Sequence, residues 1–268
     1  MVKVENFLTY DDLPFWSAPF GLTLLDTVKL KRNINVLDIG SGGGFPMLEL
    51  AERLGKSCTI YGIDPSPVSI EMITEKSRLR EIPNLKVIQC GAEDLPFDND
   101  FFGLIISNNG LNNVQDPSKV LKECFRTLHK NCQLVFTINL PHTFIEFYEE
   151  FENVLAGSGM AEEISKMYDH IDSKRKPVEW WKELITASGF SMNGINIDGF
   201  KFRYSDGTAF FNQYLIRKYF MGSWRSLIPP EQQEAIFSTL ENRLNELSRQ
   251  TGVLEMSVPF VCFDCYKE

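Results

Sequence analysis

The 268-residue sequence predicts an α/β fold, a doubly wound Rossmann-like sheet of seven mostly parallel strands. Three observations predict it. Short β-rich runs alternate with helical patterns from residue 35 to residue 140. A glycine-rich turn joins the first run to the first helix. An acidic residue, Asp64, closes the second run. Glycines and a carboxylate at those two places belong to the carboxyl edge of an open parallel sheet, where ligands bind.

The elements follow in order. Residues 35–39 (NVLDI) are the first strand, and 47–54 the helix after the glycine turn. Residues 59–63 are the second strand. Ser66-Pro67 then opens a helix, serine as N-cap and proline at the first helical position. Residues 86–89 and 102–107 are the third and fourth strands. Asp116-Pro117 repeats the cap signal for a helix reaching His129, and 133–140 is the fifth strand. Residues 143–171 read as two helices parted by Gly157–Ser158–Gly159, with a capping-box spacing at Thr143 and Glu146. A helix over 178–188 ends at Gly189. A strand near 195–204, helices over 208–220 and 230–249, and a last strand near 255–266 complete the chain.

A single domain over 1–268 is expected. Its core takes about 30–140, 177–204 and 255–268, and helical insertions take about 141–176 and 205–252. The insertions are expected to form a lid over the ligand edge. Phe144, Phe147 and Phe151, on one helical face, are expected to bind an acceptor there.

Composition narrows the function. The net charge of −9 repels phosphate backbones, so nucleic acid is not an expected partner. No run of 18 apolar residues exists, and no membrane span is expected. The start, MVKVENFLTYDD, lacks a signal-peptide pattern, and a cytoplasmic protein is expected. Cys262 and Cys265 have a metal-like spacing without a second pair, so they are read as packed thiols and no metal is expected.

The chemistry lies in Val36-Leu-Asp38-Ile-Gly40-Ser41-Gly42-Gly43-Gly44-Phe45. Glycines between a strand and a helix let backbone approach a ligand. The helix beyond offers N–H groups to an anionic or polar partner. A dinucleotide fingerprint needs a third glycine where Phe45 stands. Asp64, 20 residues after Gly44, is placed to accept hydrogen bonds from ribose hydroxyls or to cap a helix.

The stretches VLDIGSGGG, GIDPSP and CGAEDLPFDNDFFGLIISNNGLNNVQDP resemble class I S-adenosylmethionine-dependent methyltransferases. Quinone-biosynthesis C-methyltransferases are the nearest flavour. The resemblance implies S-adenosylmethionine as cofactor, S-adenosylhomocysteine as product, and a small, partly apolar acceptor. It implies that Asp38 organises the loop and approaches the methionine amino group. Gly40, Ser41, Gly42, Gly43 and Gly44 would follow the methionine and ribose. Asp64 would hold the ribose, with Pro65 beside the adenine. Gly91, Ala92 and Glu93 would border the adenine, and Asn108 and Asn109 would face the sulfonium. Many relatives carry Asp or Asn where Gly91 stands, and His near Asn112 or Asn113.

Methyl transfer needs a base only when the nucleophile must lose a proton. His142, following the fifth strand, is the candidate base; a loop histidine is the plainer reading. Tyr10, Phe15 and Trp16 either close over the cofactor or pack an N-terminal helix. A non-catalytic cofactor-binding module and a nicotinamide-dependent oxidoreductase are the alternatives. The acceptor, the methylated atom and the oligomeric state are not legible.

Overall fold

The structure is a computed structural model that describes residues 14–268; Tyr10 lies outside the described residues. Helix α1 (Pro14–Thr27) precedes strand β1 (Asn35–Ile39). Helix α2 (Met47–Leu54), β2 (Thr59–Asp64), α3 (Pro67–Leu79), β3 (Leu85–Gln89), β4 (Phe102–Asn108), α4 (Pro117–Thr127) and β5 (Leu128–Asn139) follow. Then come α5 (Ile145–Gly157), α6 (Ala161–Lys174), α7 (Val178–Ala187) and β6 (Ser191–Tyr204). Short helices α8 (Gly207–Asn212) and α9 (Met221–Arg225), long helix α10 (Gln233–Thr251) and β7 (Leu254–Lys267) end the chain.

The seven strands lie in the order β3-β2-β1-β4-β5-β7-β6. The first five are parallel, and β7 runs antiparallel to β5. Strands β1 and β4 are buried along nearly their whole length, as strands covered on both faces must be. Chain order reverses between β1 and β4, which makes the carboxyl ends of these strands the switch point. The expected caps are present. Ser66 Oγ accepts from Ser69 N at 3.4 Å, Asp116 Oδ1 accepts from Lys119 N at 3.0 Å, and a proline follows each cap.

The chain forms two compact units. Residues 14–139, 177–197 and 260–268 belong to the first, 140–176 and 198–259 to the second. The first has a core of aliphatic side chains, among them Leu24, Val36, Leu50, Ile60, Ile73 and Ile106. The second is built on aromatic rings. Phe147 stacks on Trp224 with centroids 4.0 Å apart, and Phe144, Phe151, Phe210 and Phe237 pack around this pair. Trp224 Nε1 donates to Tyr148 Oη at 2.9 Å.

Several expectations are corrected. Phe144, Phe147 and Phe151 are each fully buried, so their side chains present no surface to an acceptor. The aromatic surplus builds the core of the second unit. The Thr143–Glu146 capping box does not form: Thr143 Oγ1 donates to Leu140 O, while Glu146 accepts from Ser257 N and its hydroxyl. Phe144, at φ 60°, precedes α5 instead. Helix α4 stops at Thr127, and His129 lies in β5. The helix expected over 208–220 is broken, with α8 ending at Asn212 and a π-helical turn over Ile216–Phe220.

Candidate cofactor site

A cavity of about 890 Å³ opens in the first unit at the carboxyl ends of β1, β2 and β4. The glycine loop forms one wall. Gly40 N and Ser41 N donate to Ile63 O at 2.9 and 3.0 Å. Gly42 N donates to Asp64 Oδ2 at 2.9 Å, and Gly44 N to Ser41 O at 2.8 Å. Gly40 and Gly42 have φ of 72° and 50°, the left-handed region that favours glycine. The loop is thus fastened to the end of β2 by its own N–H groups. Those four donors are spent inside the protein.

Asp64 is the pivot of this arrangement. Its other oxygen, Oδ1, accepts from Ser66 N at 2.9 Å and shapes the turn into α3. Each carboxylate oxygen has two acceptor sites, so both retain capacity toward the cavity that Asp64 lines.

Asp38 sits beneath the wall and is 1% exposed. Neither carboxyl oxygen has a hydrogen-bond partner. Burial pushes this carboxyl up to about 8; the neighbouring Ser41 opposes the shift and the Asp64 charge adds to it.

The sequence-derived residues gather here. Gly40, Ser41, Gly42, Gly43, Asp64, Pro65, Gly91, Ala92, Glu93, Asn108 and Asn109 all line the cavity. Asp38 and Gly44 do not; a Cβ on Gly44 would stand 2.8 Å from Leu48. The two asparagines are held by bonds of their own. Asn108 Nδ2 donates to Ser17 O at 3.1 Å, and its Oδ1 accepts from Thr137 Oγ1 at 2.9 Å. Asn109, at φ 61°, accepts through Oδ1 from Asn139 N at 3.0 Å and from Asn112 Nδ2.

His142 lies in the second unit, exposed, beside a smaller cavity of about 220 Å³ with Lys201 and Ser257. Trp16 lines the larger cavity, whereas Phe15 is 75% exposed. Sequence reasoning passed over Lys76, whose ammonium donates to Gly43 O at 3.0 Å, and Cys90, whose thiol burial pushes up. Lys76 lies in the last turn of α3, where a basic residue is ordinary, and no local pattern marks it as lining a cavity. Cys90 directly precedes Gly91 and was within reach of the same argument.

The family described as a methyltransferase domain matches residues 30–183. A demethylmenaquinone methyltransferase of Geobacillus sp. (strain WCH70) is 30% identical over 125 residues, 46% of this chain and 53% of the relative. Another, of Lactococcus lactis subsp. lactis (strain IL1403), is 30% identical over 158 residues, 57% of this chain and 61% of the relative. The matches therefore span little more than half of these relatives' length. Among solved structures, a geranyl diphosphate C-methyltransferase from Streptomyces coelicolor A3(2), in complex with Mg2+, geranyl diphosphate and S-adenosyl-L-homocysteine, superposes with a TM-score of 0.56. It is 13% identical, with 94% of this chain and 79% of that one covered, and shows the shared fold. The alternating strands and helices, the glycine loop fastened to Asp64 and the match over 30–183 agree: the chain belongs to the methyltransferase domain family, among the class I S-adenosylmethionine-dependent methyltransferases.

Proposed function

We propose that the protein transfers a methyl group from S-adenosylmethionine to a small, partly apolar acceptor. One observation carries the reading. Gly40, Ser41, Gly42 and Gly44 spend their N–H groups on Ile63, Ser41 and Asp64, while two acidic side chains, Asp38 and Asp64, stand at the base of the loop. A pyrophosphate needs free N–H donors; a cationic amino-acid sulfonium needs acceptors and negative charge. The site suits the second and disfavours a nicotinamide dinucleotide.

The residues divide the work by place. Gly40 to Gly43 let the ligand approach the main chain closely. Asp64 would take ribose hydroxyls on its remaining lone pairs, with Pro65, Gly91, Ala92 and Glu93 around the adenine. Asn108 and Asn109, fixed by Thr137, Ser17 and Asn139, would hold the wall at the sulfonium end. The cofactor, when bound, supplies an electrophilic methyl group on positively charged sulfur. The protein's part is alignment and exclusion of water. No step is assigned to His142.

Calorimetric titration with S-adenosylmethionine, S-adenosylhomocysteine and NAD tests the cofactor. Binding of NAD alone would overturn the reading. Methyl-labelled cofactor against a metabolite panel tests the transfer. Demethylmenaquinone belongs first in that panel because two relatives are named for it. Cofactor binding with no product from any acceptor would favour a non-catalytic binding module.

A further inference from the structure

Strand β6 ends the sheet. Its one neighbour in the strand order is β7, so a row of its backbone N–H and C=O groups faces outward. It runs 14 residues, Ser191–Tyr204, and within it Tyr204 alone is buried. Two of its side chains are tied back to β7. Ser191 Oγ donates to Tyr266 O at 3.3 Å, and Asn193 Nδ2 donates to Asp264 Oδ2 at 2.7 Å. Of the nine large apolar side chains exposed among the described residues, three stand on this strand: Met192, Ile195 and Ile197, the last 61% exposed. The apolar exposure is therefore concentrated on this edge rather than scattered.

Sheet edges are ordinarily guarded against pairing by shortness, charged side chains or proline. The opposite edge follows that rule: β3 has five residues, Leu85–Gln89, and carries Lys86. Residues 191–197 (SMNGINI) carry neither charge nor proline. The bases farther along, Lys201 and Arg203, are both paired with Glu255, at 2.6 and 3.3 Å. A long, uncharged, apolar edge is a template for another strand.

We propose that β6 pairs antiparallel with β6 of a second copy of this chain, joining two sheets into one across a two-fold axis at Asn196. Symmetry restricts the register. A two-fold axis perpendicular to the sheet reverses the strand direction and leaves each face where it was. Opposed residues share a face, and faces alternate along a strand, so an odd-numbered residue must meet an odd-numbered one. Centring on Asn196 sets Ile195 against Ile197 of the second copy, and Ile197 against its Ile195. Four isoleucines then gather on one face, where β-branched cross-strand neighbours stabilise a sheet. Asp198 stands opposite Gly194 of the second copy, so no like charges meet across the axis. The strand is its own complement, which makes a second copy the fitting occupant. The contact uses the same surface on both chains and closes at two.

Light scattering of the full chain behind a sizing column tests this. Edge pairing buries little area, so the complex belongs to the weak class and is measured at about 50 μM. The expected mass is that of two chains. A mass of one chain would overturn the proposal, and so would a mass above two. Ile197→Lys sets an ammonium against Ile195 of the second copy. It should raise the dissociation constant of the pair at least about tenfold and return the mass toward one chain. A melting curve and a titration with S-adenosylhomocysteine, both unchanged, show that this variant is folded. A pair undiminished by Ile197→Lys would overturn the assignment to β6. Asn196→Cys gives a second readout. Its Cβ would stand about 4.5–5.5 Å from that of its own copy, close enough for a disulfide. Mild oxidation should give a band of two chains that reduction removes. The wild type, with its six cysteines, should give none. A dimer by mass that Asn196→Cys does not lock would overturn the pairing. Should Ile197→Lys fail to fold, the cross-link decides.

Discussion

Asp64 Oδ2 accepts the Gly42 N–H at 2.9 Å, so a carboxylate that lines the cavity also anchors the glycine loop. The two roles separate by substitution. Asp64→Ala removes the loop anchor, the Ser66 contact and the charged acceptor proposed for ribose together. Charge-assisted hydrogen bonds contribute about 1.5–3 kcal/mol, and S-adenosylhomocysteine affinity should fall roughly 10- to 150-fold. Asp64→Asn keeps one acceptor oxygen and should lie between. Calorimetry beside a melting curve checks this; unchanged affinity with a lowered melting temperature would leave Asp64 only the anchoring role.

Arg126 holds the segment after the 91–93 wall. Its guanidinium donates to Phe97 O at 2.7 Å, Leu95 O at 3.0 Å and Asn99 Oδ1 at 3.0 Å, and it pairs with Glu123 at 2.7 Å. Arg126→Ala should cost about 1–3 kcal/mol of stability, and Arg126→Lys should rescue little, since an ammonium cannot match the planar fork. The pair also sets a pH response. The hydrogen bond from Arg126 holds the Glu123 carboxyl below its usual range. A depressed carboxylate stabilises above its unfolded value, about 4.3, and that contribution disappears as pH falls through the lower folded value. Melting curves from pH 7 to 3 should show a shallower acid loss in Arg126→Ala than in the wild type.

The sheet and the lining of the cavity are legible in the sequence because both depend on short-range chemistry. Ser66-Pro67 and Asp116-Pro117 fix helix starts locally, and the 20-residue step from Gly44 to Asp64 is one strand–helix–strand unit. The second unit was not legible in the same way. Phe144 and Phe147 form an apolar stripe that fits a ligand wall and a core equally well. What decides is their meeting with Phe210 and Trp224, more than 60 residues onward. Glu146 likewise found its partner, Ser257, far outside its own turn. Asp38 shows the limit in the other direction: the motif marks the residue, while only the three-dimensional packing shows its carboxyl unpaired.

Gly110 is a close-approach glycine that no motif marks. Its φ of −72° suits any residue, so the obstacle is space. A Cβ there would stand 2.5 Å from Ile39 O and 2.7 Å from Ser107 Oγ, whose hydroxyl donates to that same Ile39 O at 2.8 Å. Gly110→Ala should push the ends of β1 and β4 apart, costing about 1–3 kcal/mol as overpacking does, and should weaken cofactor binding. Gly157, the last residue of α5, has nothing within 4 Å of a Cβ. Gly157→Ala should be neutral or stabilising by up to about 1 kcal/mol. Thermal melts of the two variants, run together, separate the steric cost from a general glycine effect.

The aromatic core of the second unit supplies the last prediction. Phe147 lies fully buried and stacked on Trp224 at 4.0 Å and 25°. Trp224 in turn donates to Tyr148 Oη at 2.9 Å, and the Arg175 guanidinium lies 5.7 Å over the Tyr148 ring. Phe147→Ala should cost about 3–5 kcal/mol, because the transfer energy is lost and a cavity remains. Trp224→Phe should cost less for its volume but leave Tyr148 Oη without that donor, adding about 1–3 kcal/mol. Tyr148→Phe should orphan the indole N–H instead. If these two groups act only on each other, the double variant Tyr148→Phe/Trp224→Phe should be less destabilised than the sum of its singles, by a coupling of about 0.5–3 kcal/mol. Denaturant melts of the four proteins measure that coupling. A zero coupling would mean that the hydrogen bond stabilises nothing. Loss of S-adenosylhomocysteine affinity in folded Phe147→Ala would show that the effect of this side chain reaches beyond its own core.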